Sequence, residues 1–170
     1  MKARYVVFLS GIFLFVLAAC GGQRENVRVV EVRTVGGIPV ACDLVQPEEF
    51  GVVLGLDTAV TVGSEYLDET GSGCGWLDED GSTALSIGIW AHDGTASKQL
   101  STMANPVDAA VITEAVPDLG DEAYVIDDGA GQAVMWRKGE RFFVMMSFMQ
   151  AADREMALEM ARLVDGRIAP

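Results

Sequence analysis

Three segments near the C-terminus constrain the fold most. Ala123–Ile126, Gln132–Arg137 and Arg141–Met149 are strand-like runs separated only by short turn sequences. Asp127–Gly131 forms the first turn and Lys138-Gly139-Glu140 the second, with Gly139 free to take positive φ. Segments so closely spaced have no room for a crossover, so they predict an antiparallel meander. Phe142–Phe148 is apolar at positions facing both ways, which predicts a central strand covered on both sides. Asp153 then caps a final helix to about Val164. Met156, Met160, Leu163 and Val164 form its buried stripe, Ala157 and Ala161 permit close approach, and Gly166 is the C-cap candidate.

Upstream, Pro47–Leu54 predicts a short helix. Proline is harmless at the first helical position, Glu48 and Glu49 suit the dipole of the first turn, and Phe50, Val53 and Leu54 share a face. Gly55 stops it. Val60–Ser72 reads as irregular or weak strand, and Gly75–Leu77 as strand. Asp78–Ser82 is a turn. Thr83–His92 alternates, with Leu85, Ile87, Ile89 and Ala91 facing one way and Ser86, Gly88, Trp90 and His92 the other. A helix from Thr95 to Ala104 ends at Asn105-Pro106, and Val107–Val116 reads as loop or short helix. The sum is an α+β domain: an antiparallel sheet of about five strands with two or three helices packed against it.

The N-terminus sets the compartment. Lys2 and Arg4 precede an uncharged, mostly apolar run from Tyr5 to Ala19. As a helix it would span about 22 Å against a bilayer core of about 30 Å, which suits a secretory signal better than a permanent span. Leu17-Ala18-Ala19-Cys20 resembles the lipobox of bacterial lipoproteins. The resemblance implies cleavage before Cys20, a diacylglyceryl group on its thiol and an acylated new amine. Residues 1–19 are then signal peptide, 20–39 a lipidated tether and 40–170 one domain. Within the tether, Val27–Arg33 is either an edge strand or an extended linker, broken by Gly36-Gly37. Two or more acyl chains make a stable membrane anchor. Gly21 rather than Asp after the cysteine implies, by resemblance to lipoproteins of two-membrane cells, the outer membrane. In a one-membrane cell the domain sits on the outer face.

Export leaves Cys42 and Cys74 in an oxidising compartment, where a disulfide is expected. Two free thiols or a metal pair are the alternatives, and no His or second cysteine pair lies nearby to complete a metal site.

Charge narrows the partners. The chain carries 12 Lys or Arg against 25 Asp or Glu. Losing Lys2 and Arg4 leaves 10 basic residues and a formal charge of −15. Arg137-Lys138 with Arg141 is the only basic cluster, so nucleic acid is not the expected partner. Anionic headgroups should repel the domain and hold it off the membrane surface.

Further motifs resemble those of an uncharacterised family of envelope lipoproteins, best known from high-GC Gram-positive bacteria and catalogued as a domain of unknown function. Cys42-Asp43-Leu44-Val45 with Glu49 and Val53-Leu54-Gly55 resembles its "C-x-L-L-T-x-x-E-V…L-G" opening. Cys74-Gly75-Trp76 resembles its second cysteine before an aromatic residue. Leu119-Gly120-Asp121-Glu122-Ala123-Tyr124 resembles "G-L-G-D-E-A-Y", and Arg137-Lys138-Gly139 its "R-K-G" hairpin. Gln46-Pro47 replaces the family's Thr cap, and Asp118 replaces the first Gly of the signature. The resemblance implies the fold and the disulfide, and no activity.

Catalytic chemistry has few candidates. His92, the only histidine, stands at a strand end, and no G-x-S-x-G elbow, P-loop or dinucleotide fingerprint occurs. Asp78-Glu79-Asp80-Gly81 and Asp127-Asp128 lack calcium-loop spacing and read as solvated turns. The methionines read as core filler, since Met145 and Met146 must point to opposite sheet faces. Gly120 should permit a tight turn into the strand, and Asp121 should bond its own backbone two residues on. Asp121 and Glu122 are also the one candidate ligand-binding pair. The expected function is a non-catalytic envelope module that binds a protein or small ligand, with no cofactor or metal. The alternatives are an assembly accessory of an envelope complex and an unrecognised enzyme using those two acids.

Overall fold

Two glycines turn the chain back on itself at its first described element. Gly36 and Gly37 have φ of 60° and 79°, as a two-residue type I′ turn requires. They join β1 (Thr34–Val35) to β2 (Ile38–Pro39) in a small antiparallel hairpin. The computed structural model describes residues 30–55, 60–92, 96–103, 112–127, 131–148 and 152–169. The expected signal peptide, Cys20 and Val27–Val29 lie outside the described residues. The end of the expected tether is packed rather than free. Ile38 and Pro39 are buried, Val32 packs against the core, and the Ser72 hydroxyl donates to the Pro39 carbonyl at 2.5 Å.

A 3₁₀ turn over Ala41–Asp43 leads to α1 (Pro47–Leu54). The helix has the expected bounds, buries Phe50, Val53 and Leu54, and stops at Gly55 with φ 63°. Glu49 accepts the Gln46 backbone N–H at 2.8 Å, so the first turn is capped from within despite the missing Thr.

The sheet has seven strands, two more than expected. They are β3 (Thr61–Leu67), β4 (Gly71–Leu77), β5 (Thr83–Ala91), β6 (Ile112–Ala115), β7 (Glu122–Asp127), β8 (Gln132–Lys138) and β9 (Phe142–Phe148). Their spatial order is β3-β4-β5-β9-β8-β7-β6, and every pair is antiparallel. Two meanders, β3–β5 and β6–β9, therefore meet along β5 and β9. The C-terminal hairpins form as expected, and β9 is the central strand. The first turn of the C-terminal meander includes residues 128–130, which lie outside the described residues.

Both extra strands are sheet edges. β3 emerges from the stretch read as irregular or weak strand, and β4 begins at Gly71 rather than Gly75. β6 replaces part of the expected loop or short helix, of which 107–111 lie outside the described residues.

Helices cover the two faces unequally. On the front, α1 and α3 (Arg154–Asp165) pack with the 3₁₀ turn over Trp76, Leu85, Ile87, Trp136, Val144 and Met146. Asp153 accepts the Met156 N–H at 2.9 Å, the expected cap. On the back, α2 (Ala96–Met103) seats Ala96 and Leu100 on Met135 and Phe143, with Trp90, Tyr124 and Met145 at the margin. The expected cap Thr95 and stop Asn105-Pro106 lie outside the described residues. Met146 and Met145 fall in the front and back clusters respectively, so the methionines divide between two faces and fill space there.

Candidate functional site

The two domain cysteines meet. Cys42, in the 3₁₀ turn, is bonded to Cys74 on β4. Beside the bridge the Phe50 and Trp76 rings pack at 5.7 Å between centroids. The disulfide thus ties the segment preceding α1 to the sheet within the front core. Among the described residues no helix is long and apolar enough to cross a membrane; the Tyr5–Ala19 run lies outside them.

Asp121 and Glu122 sit where β7 begins, after a turn shaped by two left-handed residues, Asp118 (φ 63°) and Gly120 (φ 55°). Asp118 holds the position where the resembled signature has glycine. Asp is among the few side chains that enter this region readily, and glycine does so without steric cost. Leu119 between them is buried in the front core. A Cβ on Gly120 would lie 2.4 Å from the Arg137 carbonyl oxygen and 2.7 Å from Trp136 Cδ1.

The Asp121 carboxylate does not take the expected bond to its own backbone two residues on. Its Oδ2 accepts the Gly139 N–H at 2.6 Å, and its own N–H donates to the Arg137 carbonyl. Arg137 lies between the acids. Its Nη1 is 3.7 Å from Asp121 Oδ2 and its Nε 4.0 Å from Glu122 Oε2. The same Nη1 donates to the Gly139 carbonyl at 2.8 Å and to Glu140 Oε1 at 3.1 Å. Glu122 Oε1 accepts the Tyr124 hydroxyl at 3.1 Å, and this bond pushes the Tyr124 phenol pKa above its ordinary value. The two motifs of the resemblance, residues 119–124 and 137–139, therefore meet in space. Asp121 fastens the β8–β9 turn to the start of β7, while Glu122 is held by Tyr124 of its own strand and faces Arg137 near the end of β8. Gly120→Ala should cost about 2 kcal/mol, from left-handed backbone strain plus the clash with Arg137. A denaturant titration checks it, and an unchanged midpoint would show that the turn can shift at no cost.

The remaining sequence candidates fall apart spatially. His92 follows β5; its backbone N–H donates to the Arg141 carbonyl at 2.6 Å, and its ring meets Phe143 edge-on at 6.3 Å. Asp78 Oδ1 accepts the N–H groups of Asp80 and Ser82, which makes the acidic run a self-closed turn. Asp128 lies outside the described residues. Among those described, no three His, Cys, Asp or Glu side chains are grouped so as to hold a metal ion.

Two features had no counterpart in the sequence reading. Arg167, just after α3, donates Nη1 to the Leu44 carbonyl at 2.5 Å and to Glu49 Oε2 at 2.7 Å, while its Nη2 reaches Glu49 Oε1. Only the capping position of Glu49 could have hinted at the pair, because 118 residues separate the partners. The second feature is a shallow trough of about 330 Å³ on the back face beside β3. Gly73, Gly75, Gly88, Ser64 and Ser86 form its floor. Tyr66 lies across Gly73 and Trp90 across Gly88, each so close that a Cβ on the glycine would collide with the ring. The alternating glycines of β4, with Gly88 on β5, were the available signal.

Compared with known proteins, the chain matches no protein-family model and no curated sequence.

Proposed function

We propose that the chain is a membrane-anchored bacterial lipoprotein whose acidic α+β domain is a non-catalytic binding module on the far side of the membrane from the cytoplasm. One observation carries the anchor: the apolar run Tyr5–Ala19 ends in Leu17-Ala18-Ala19-Cys20 behind a basic start. The Cys42–Cys74 bond supports the oxidising address. The order of motifs from Cys42 to Gly139 supports kinship with the uncharacterised envelope lipoproteins. The binding role draws on how Asp121 and Glu122 are engaged, since carboxylates clamped by Gly139, Tyr124 and Arg137 are poorly placed to move protons. The outer membrane is the proposed location where two membranes exist.

Cys20→Ala tests the anchor. With an alkyne-tagged fatty acid fed to expressing cells, the wild-type chain should take label and fractionate with membranes. The variant should lose the label and leave the membrane fraction. Labelling that persists in the variant would overturn the lipobox reading.

A further inference from the structure

Charge is distributed very unevenly along this chain. Between Arg33 and Lys98 there is no Lys or Arg, against eleven Asp or Glu. That stretch supplies the β1–β2 hairpin, α1 and the first meander, β3–β5. One side of the sheet therefore ends in a strand flanked by acids, with Arg33, itself paired with Asp43 at 2.7 Å, near the strand's Glu65.

That strand is β3. All seven of its residues are exposed, and Val62 (53%) and Tyr66 (44%) show large apolar surface. Acids bracket it. Glu65 is on the strand, and Asp68 and Glu69 follow Leu67 in the turn to β4. Glu79 and Asp80 lie beyond the other end, because Thr61 pairs with Leu77. An edge strand presents a row of N–H and C=O groups that can pair with another chain, and edges are commonly guarded by lysine, proline or shortness. β3 has neither residue and is seven residues long; its guards are a bulge at Gly63, between Val62 and Ser64, and the single charge of Glu65. The opposite edge, β6, has four residues, and its Glu114 is paired with Arg154 at 3.1 Å.

We infer that β3 is a docking edge for an extended segment of a partner protein, rich in β-branched residues and carrying Lys or Arg near both ends. The proposal rests on the binding-module reading and gives it a partner chemistry. Main-chain pairing along the edge supplies affinity, and alternate side chains of the added strand supply specificity. On the back face those side chains would lie beside Ser64 and Tyr66, two of the residues that line the trough. The acids at either end attract the basic flanks and set the register. A second copy of this chain is the poorer occupant, since it would bring the same acids against their equivalents.

The test uses the full chain in detergent micelles and two synthetic peptides of alternating Thr and Val. One carries two Lys at each end, the other two Glu. Amide exchange is followed by mass spectrometry. The Lys-flanked peptide should slow exchange across residues 61–67 by roughly tenfold or more, leave 112–115 unchanged and lose its effect as salt rises. The charge reversal Glu69→Lys with Glu79→Lys, at two exposed turn positions, should abolish the effect with no change in melting temperature. Unchanged exchange across 61–67, equal protection by the Glu-flanked peptide, or full protection in the reversed variant would each overturn the proposal. Protection around Trp90 without protection of 61–67 would overturn edge docking while supporting a binding module. A peptide-free dimer already protected at 61–67 would make the occupant a second copy and overturn the basic-partner assignment. Failure of the anchor itself would appear separately, in the Cys20→Ala labelling.

Discussion

Replacing Cys42 and Cys74 together by Ala is expected to lower the domain's stability by about 3.7 kcal/mol, the chain-entropy value for a loop of this size. The bridge joins positions 32 residues apart, and the segment it closes contains α1 and β3. Without it the unfolded chain regains the freedom of that loop. The 3₁₀ turn also loses its tie to β4, beneath the Phe50–Trp76 contact. For a domain of this size the loss corresponds to a fall in melting temperature of roughly 10 °C. Reduction of the native protein should act in the same direction. A thermal melt of the double variant, or of the wild type with and without reductant, checks the claim. Coincident curves would mean that packing alone holds the front core.

Arg167→Ala is expected to cost about 2–3 kcal/mol, because it strands a carboxylate that is already largely out of water. The Arg167 and Glu49 side chains are only 11% and 22% exposed. Burial alone would raise the Glu49 pKa, but the hydrogen bonds from Arg167 and from the Gln46 N–H outweigh it and hold the carboxyl below its ordinary 4.5. The sign of the pH effect follows from this depression. The stabilisation is present above 4.5, where the unfolded carboxyl is also ionised, and is lost as pH falls through the lower folded value. The stability gap between wild type and variant should therefore be widest near neutrality and narrow below about pH 4.5. Urea titrations of both chains across that range measure the gap. A gap independent of pH would assign the cost to lost packing of the Arg167 stem rather than to the ion pair.

The difference between the expected five strands and the seven observed lies at the edges. Interior strands announce themselves because one face must be apolar: Leu85, Ile87 and Ile89 in β5, or Phe142, Val144, Met146 and Phe148 in β9. β3 buries no side chain, and its bulge at Gly63 breaks the period of two, so no pattern marks it. β6 lies at the end of an apolar run whose pattern suits several conformations. At the candidate binding pair, the motif 119–124 was legible as a unit, and Gly120 as a tight-turn position. Its partner was not. Asp121 bonds Gly139 and not its own neighbours because the β8–β9 turn arrives beside it only once β7 and β8 have paired.

The sequence by itself determined what local chemistry controls: the bounds of α1, the cap of α3 at Asp153, the glycine turns and the C-terminal meander. Those depend on residues a few positions apart, where steric freedom, capping and alternation decide the outcome. Tertiary structure alone decided that β5 and β9 join the two meanders, that Glu49 answers Arg167, and that the acidic half of the chain ends in an open strand. Such contacts join residues tens of positions apart, and no local propensity encodes which surfaces meet once the core has closed.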